Sequence, residues 1–174
     1  MIVNGPGISF TEPDIGSEFV PPIPENPREK IVALCEHCTN RLLGRKELKP
    51  FEYWAFAEVT TDEMADVLLK MKMRRPYTLT DAAKATGMDS EPLEKLLDEM
   101  SYIGLLEYNW ENPTRTKQWV LPMLVPGSAE FLNMRQSQID EHPAVAKFFE
   151  QASKGALAKA TPMVPPGGAG IGMH

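Results

Sequence analysis

A mainly helical fold carrying a small β-hairpin is what this sequence predicts. Three features of the stretch from Thr60 to Met123 predict it. Apolar residues recur three and four apart in successive segments. Gly87 breaks the second of those segments from the third, and a period of two takes over after Gly104. Helix, helix, tight turn, helix and hairpin, in that order, make a winged helix-turn-helix, with flanking helices around it.

The elements follow in order. Residues 1–26 hold Pro6, Pro13, Pro21, Pro22 and Pro24, so they form an extended or disordered leader. Asn26-Pro27 reads as an N-cap with proline at the first helical position, and Ile31, Leu34, Cys35, Cys38 and Leu42 make one helical stripe behind it. Pro50 and the run Phe51, Tyr53, Trp54, Phe56 read as a short strand or extended segment docking on the core, completing a unit over 27–59.

The winged-helix unit spans 60–125. Thr60 and Glu63 read as a capping box ahead of Met64, Val67, Leu68 and Met71. Arg74 and Arg75 close that helix and Pro76 stops it. Thr78 caps a short helix with Leu79, Ala82 and Ala83. Asp89 or Ser90 caps the third, whose inner face is Leu93, Leu96, Leu97, Met100 and Ile103. Leu106, Tyr108 and Trp110 alternate with Leu105, Glu107 and Asn109. Asn112-Pro113-Thr114 turns the wing, and Gln118 to Met123 returns. Helices opened by Ser128 (Phe131, Leu132, Met134) and Pro143 (Val145, Phe148, Phe149, Ala152) fill 126–154 and cover the wing sheet or face a partner. Residues 155–174 form a Pro/Gly-rich linker or tail, the linker being preferred.

Composition narrows the function classes. The chain has 174 residues, the length of one domain with flanking segments. A net charge of -6 disfavours non-specific adhesion to nucleic acid or an anionic membrane. No run reaches the roughly 18 apolar residues that span a bilayer, and no basic-then-apolar start signals secretion. Two cysteines and ten methionines suit a reducing cytoplasm, where the protein is expected to reside.

The third helix carries a second message. Asp89, Glu91, Glu94, Asp98 and Glu99 are set against a single Lys95, which makes a poor probe for a phosphate backbone. Glu91, Glu94, Asp98 and Glu99 are therefore candidates for protein interaction, against the plain reading of a solvated face. The basic residues Arg74, Arg75, Arg115 and Lys117 could touch phosphates only in the alternative of a DNA reader. Four scattered cations fall short of the stripe a specific binder carries.

Cys35-Glu36-His37-Cys38 is the one constellation with metal-ligand chemistry. Two thiolates and an imidazole could hold zinc or an iron–sulfur centre, but closure needs four ligands, and His142 and His174 are distant. The other readings are buried core cysteines on the stripe with Ile31 and Leu42, or a redox dithiol. Trp110 and Trp119 read as a cross-strand pair locking the hairpin, with a stacking platform as the sharper alternative. Met64, Met71, Met73, Met88 and Met100 read as core filling.

The stretch Gly104-Leu105-Leu106-Glu107-Tyr108-Asn109-Trp110-Glu111-Asn112-Pro113, then Val120-Leu121-Pro122-Met123, Val125-Pro126-Gly127-Ser128-Ala129-Glu130 and Pro162-Met163-Val164-Pro165-Pro166-Gly167-Gly168, carries a family resemblance. It is similar to the N-terminal winged-helix region of anaerobic FAD/NAD(P)-dependent [4Fe-4S] ferredoxin-type oxidoreductases, over roughly Thr60 to His174. The resemblance implies the accessory part of such an enzyme. FAD and [4Fe-4S] are implied only for the larger assembly, because the family's catalytic domains would follow this region. No complete Gly-x-Gly-x-x-Gly fingerprint and no four-cysteine cluster motif occurs here, so no catalytic residue transfers.

The sequence thus predicts a winged-helix docking domain of an iron–sulfur flavoprotein oxidoreductase. Its partners would be the redox domains or subunit of that enzyme, with no chemistry in this segment. The alternative is a cytoplasmic winged-helix transcriptional regulator, a homodimer with Cys35 and Cys38 as a metal or redox sensor. An independent zinc-binding protein is the third reading.

Overall fold

The computed structural model describes residues 21–43, 48–123, 127–147 and 149–150. The expected leader up to residue 20 and the tail over 155–174, with the Pro162–Gly168 motif, lie outside the described residues. So do the side chains of Leu42 and Phe148, and Ala152. The architecture is mainly helical with a small three-stranded antiparallel sheet.

Helix α1 (Glu29–Leu43) buries Ile31, Leu34, Cys35 and Cys38, the stripe expected. It opens later than Asn26-Pro27 suggests, because the Arg28 carbonyl accepts the first helical bonds, from the Ile31 and Val32 amides at 3.0 and 3.1 Å. The Arg28 side chain then ties three elements together. It donates to the Ala57 carbonyl at 3.2 Å, to the Thr60 carbonyl at 2.9 Å and, through Nε, to Asp62 Oδ1 at 2.9 Å.

The aromatic run is a helix, α2 (Pro50–Ala57), and not the strand its side chains suggest. Pro50 sits in its first turn, and the Glu52 carboxylate accepts from the Lys49 amide at 2.8 Å. Both are helix-start signals. Burial of Tyr53 and Phe56 on one face supplies the packing that overrides the β preference of aromatic residues. The Tyr53 hydroxyl also accepts from the Arg28 amide at 3.1 Å.

Helix α3 (Asp62–Lys70) begins one residue after the expected capping box. Thr61 is the cap, its hydroxyl accepting from the Met64 amide at 3.1 Å. Thr60 is instead buried at the end of α2, its amide bonded to the Phe56 carbonyl at 2.9 Å. Arg74 and Arg75 are not in the last turn of α3; they lie in the connection beyond it, where Arg74 adopts φ 58° and donates its amide to the Leu121 carbonyl at 2.8 Å. Pro76 opens strand β1 (Pro76–Tyr77), two residues too short to show a strand period in the sequence.

Helix α4 (Leu79–Thr86) is capped by Thr78 as expected. Thr78 and Asp81 exchange backbone and side-chain bonds, and Gly87 ends the helix in the left-handed conformation at φ 76°. Helix α5 (Ser90–Ile103) follows from Asp89 and ends at Gly104 with φ 100°. Strands β2 (Glu107–Asn109) and β3 (Gln118–Val120) form the hairpin. The sheet order is β1-β3-β2, with Tyr77 and Tyr108 both opposite Trp119. Trp119 is fully buried, and its ring meets Tyr108 edge-on at 6.4 Å. Trp110 is therefore not its cross-strand partner; it stands beyond β2, 44% exposed.

Helices α6 (Ser128–Phe131) and α7 (Gln136–Glu141) follow, the second unforeseen, and residues 143–147 and 149–150 are also helical. These segments bond both to the end of α5 and to the chain that leaves β3, where the Met123 carbonyl accepts from the Ser128 amide at 2.9 Å. Gln138, itself buried, donates to the Ile103 carbonyl at 2.9 Å and the Leu132 carbonyl at 2.8 Å. Met134, one of the apolar residues of this segment, points outward and is 75% exposed. One apolar core joins α1, α2, α3, α5, β3 and α6, with Val145. No described helix is long and apolar enough to cross a membrane.

Candidate functional site

The acidic helix and the β2–β3 hairpin meet along one seam. Helix α5 turns Leu93, Leu97 and Met100 into the core, which forces Glu91, Glu94, Asp98 and Glu99 to its outer faces. The outer residues then divide. Glu91 is exposed and pairs along the helix with Lys95 at 2.8 Å, and Glu99 is exposed. Glu94 and Asp98 lean instead toward β3, where Lys117 Nζ reaches them at 3.0 and 2.5 Å. The second oxygen of Asp98 accepts from Trp119 Nε1 at 3.2 Å.

Lys117 is the hub of that seam. Its ammonium lies 5.1 Å from the Trp119 ring centroid and 5.9 Å from that of Tyr108. Burial pulls its pKa down, but the hydrogen bonds and charges of Asp98 and Glu94 outweigh that and hold it above the ordinary lysine value. Two carboxylates, one ammonium and one indole thus fasten the hairpin to α5.

The remaining candidate cations are dispersed. Arg75 stacks over Tyr77 at 5.1 Å, Arg74 lies 4.0 Å from the Met123 sulfur, and Arg115, at φ 50° in the hairpin turn, pairs with Glu111 at 2.7 Å. Arg74 joins the chain just after β3, while Arg115 precedes it, so the strand separates them. The structure does not gather Arg74, Arg75, Arg115 and Lys117 into one basic stripe. The hairpin turn is built by Asn112, whose side chain accepts from the Thr116 amide at 3.1 Å and donates to the Thr116 carbonyl at 2.6 Å.

Cys35 and Cys38 are core residues at 0% and 1% exposure. The Cys35 thiol donates to the Glu52 carbonyl at 3.4 Å. Burial pushes both thiols up, Cys38 to about 12, far from the thiolate form that binds metal or attacks disulfides. His37 Nε2 lies 2.9 Å from the Met71 carbonyl. Among the described residues, no group of three or more histidine, cysteine or acidic side chains is placed to hold a metal ion.

Comparison of the chain with protein-family models, curated proteins and solved structures finds no match.

A second concave surface lies at the other end of α5, between that helix, β2 and α6. Tyr102, Tyr108 and Met134 line it beside Arg135, enclosing about 400 Å³. Nothing in the local sequence announces it, because Tyr102 and Arg135 meet only through tertiary packing.

Proposed function

We propose that residues 60–123 are a winged helix-turn-helix used to dock onto another protein and not to read DNA. The chain order α3, β1, α4, α5, β2, β3 and the strand order β1-β3-β2 support the fold. The docking reading rests on one observation: Lys117, the wing cation nearest α5, is already bound by Glu94 and Asp98. A wing that contacts phosphate must release its cation, and here release would leave two carboxylates beside a polyanion. The exposed Glu91 and Glu99 add to that repulsion.

An acidic helix face suits a basic patch on a protein partner, where complementary charge governs encounter rate and orientation more than affinity. The resemblance of Gly104–Pro113 and Val120–Glu130 to the leader of iron–sulfur flavoprotein oxidoreductases names that partner as the redox portion of such an enzyme. In this reading the chain carries no chemistry of its own. Gel filtration of the chain with and without the redox portion tests the proposal: comigration at micromolar concentration supports it, and separate elution overturns it. Reversing charge at Glu91 and Glu99 together to lysine should slow association severalfold at low salt and leave the fold intact.

A further inference from the structure

The groove beyond the end of α5 has the makings of a recognition site. Three of the largest exposed apolar side chains of the described residues, Tyr102 (71%), Tyr108 (49%) and Met134 (75%), line it together. Side chains of this kind, clustered rather than scattered, mark interaction surfaces.

The cation among them is held in place. The Arg135 guanidinium stacks on the Tyr102 ring at 3.7 Å, and its Nη2 donates to Gln138 Oε1 at 2.8 Å. Gln138 is fixed in turn by the Ile103 and Leu132 carbonyls. This is a pre-organised fork with little left to order on binding. Among the described residues it pairs with no carboxylate, whereas Arg28 pairs with Asp62 and Arg115 with Glu111. Two buried polar atoms without hydrogen-bond partners, Arg135 Nε and Ser101 Oγ, belong to residues lining this same groove. A fixed guanidinium in an apolar setting is what a carboxylate needs.

Strand β2 is an edge strand of the sheet, and Glu107 and Tyr108 border the groove, so an extended segment can lie along it. Glu107 is the one acid in the lining and repels a carboxylate placed beside it, so the favourable place for one is against Arg135.

We infer that this groove takes an extended peptide segment of a partner protein, in which one Asp or Glu side chain engages Arg135 and flanking apolar side chains cover Tyr102, Tyr108 and Met134. The inference deepens the docking reading and rests on it, adding a second contact to the acidic face of α5.

The test is amide-shift mapping of the full chain by NMR against acetylated octapeptides with one Asp flanked by Leu, Phe or Met, and the same peptides with Asn. Shifts confined to the groove, weakened at least fivefold in affinity by Asn and by Arg135→Gln, support the inference. Met134→Ser and Tyr102→Ser, at exposed positions, give the same loss without touching the core. No groove shifts at millimolar peptide overturn it. So do equal shifts with Asn peptides, or concentration-dependent groove shifts of the chain alone, which would mean that a second copy fills the site. Equal affinity of the wild type and of Arg135→Gln for the redox portion also overturns the groove while sparing docking. Failure of the wild type to comigrate removes docking itself.

Discussion

Asp98 Oδ1 accepts a hydrogen bond from Trp119 Nε1 at 3.2 Å, while its other oxygen holds Lys117. A helix residue thereby satisfies the only polar atom of a fully buried indole in the central strand of the sheet. Asp98→Ala leaves that N–H without a partner and should cost about 1–3 kcal/mol. Glu94→Ala removes only one half-exposed ion pair and should cost less than about 1 kcal/mol. Urea unfolding followed by tryptophan fluorescence separates the two. Equal midpoints for both variants would remove the indole bond as the anchor of the seam.

Gly87 and Gly104 both sit at positive φ, but their surroundings differ. An added Cβ at Gly87 meets nothing within 4 Å, so Gly87→Ala should cost only the left-handed strain of about 1–2 kcal/mol. At Gly104 the same carbon would stand 2.6 Å from the Phe131 backbone, forcing α6 away from the end of α5. Overpacking should add roughly 1–3 kcal/mol to the strain. Thermal denaturation of the two variants checks the order; a Gly104→Ala protein as stable as Gly87→Ala would contradict the close approach.

The buried thiols set a pH limit. Their folded pKa values are raised, so the folded state keeps protons that the unfolded chain releases above about 9. Stability contributed by the neutral thiols is complete below that pH and is lost as pH rises toward the folded values, about 12 for Cys38. The slope should approach about 1.4 kcal/mol per pH unit for each thiol. Denaturation midpoints between pH 8 and 11 measure it, and Cys38→Ala should flatten the slope. A thiol-specific disulfide reagent at pH 8 should label neither cysteine until urea is added.

Binding to DNA should be absent even where salt favours it most. A mobility-shift assay at about 20 mM salt with mixed-sequence duplexes should show no retardation at micromolar protein, since phosphate contacts strengthen steeply as salt falls. Retardation that vanishes on adding salt would restore the regulator reading.

Much of the fold is legible in residue spacing. The stripes Ile31-Leu34-Cys35-Cys38, Met64-Val67-Leu68-Met71 and Leu93-Leu97-Met100 are all buried, and Thr78 and Gly87 bound α4 as their chemistry requires. The misreadings share a cause. The run Phe51–Phe56 has strand-like side chains, yet packing against α1 makes it a helix. Thr60 and Thr61 are equally good caps until burial claims one of them. Alternation puts Trp110 and Tyr108 on one side of the chain, and only the end of β2 at Asn109 and its register assign Trp119 to Tyr108. The candidate site divides in the same way. Acids on the outside of α5 follow from helical period, whereas the diversion of Glu94 and Asp98 to Lys117 does not.

The sequence by itself determined where α1, α3, α4 and α5 form, which of their faces are apolar, and that the outer side of α5 is acidic, because those properties follow from neighbours within a few residues along the chain. Tertiary structure alone decided the pairing of β1 with β3, the capture of Lys117 by α5 and the meeting of Tyr102 with Arg135. Each joins residues from separate elements, and their contact depends on how the whole apolar core closes rather than on any local preference.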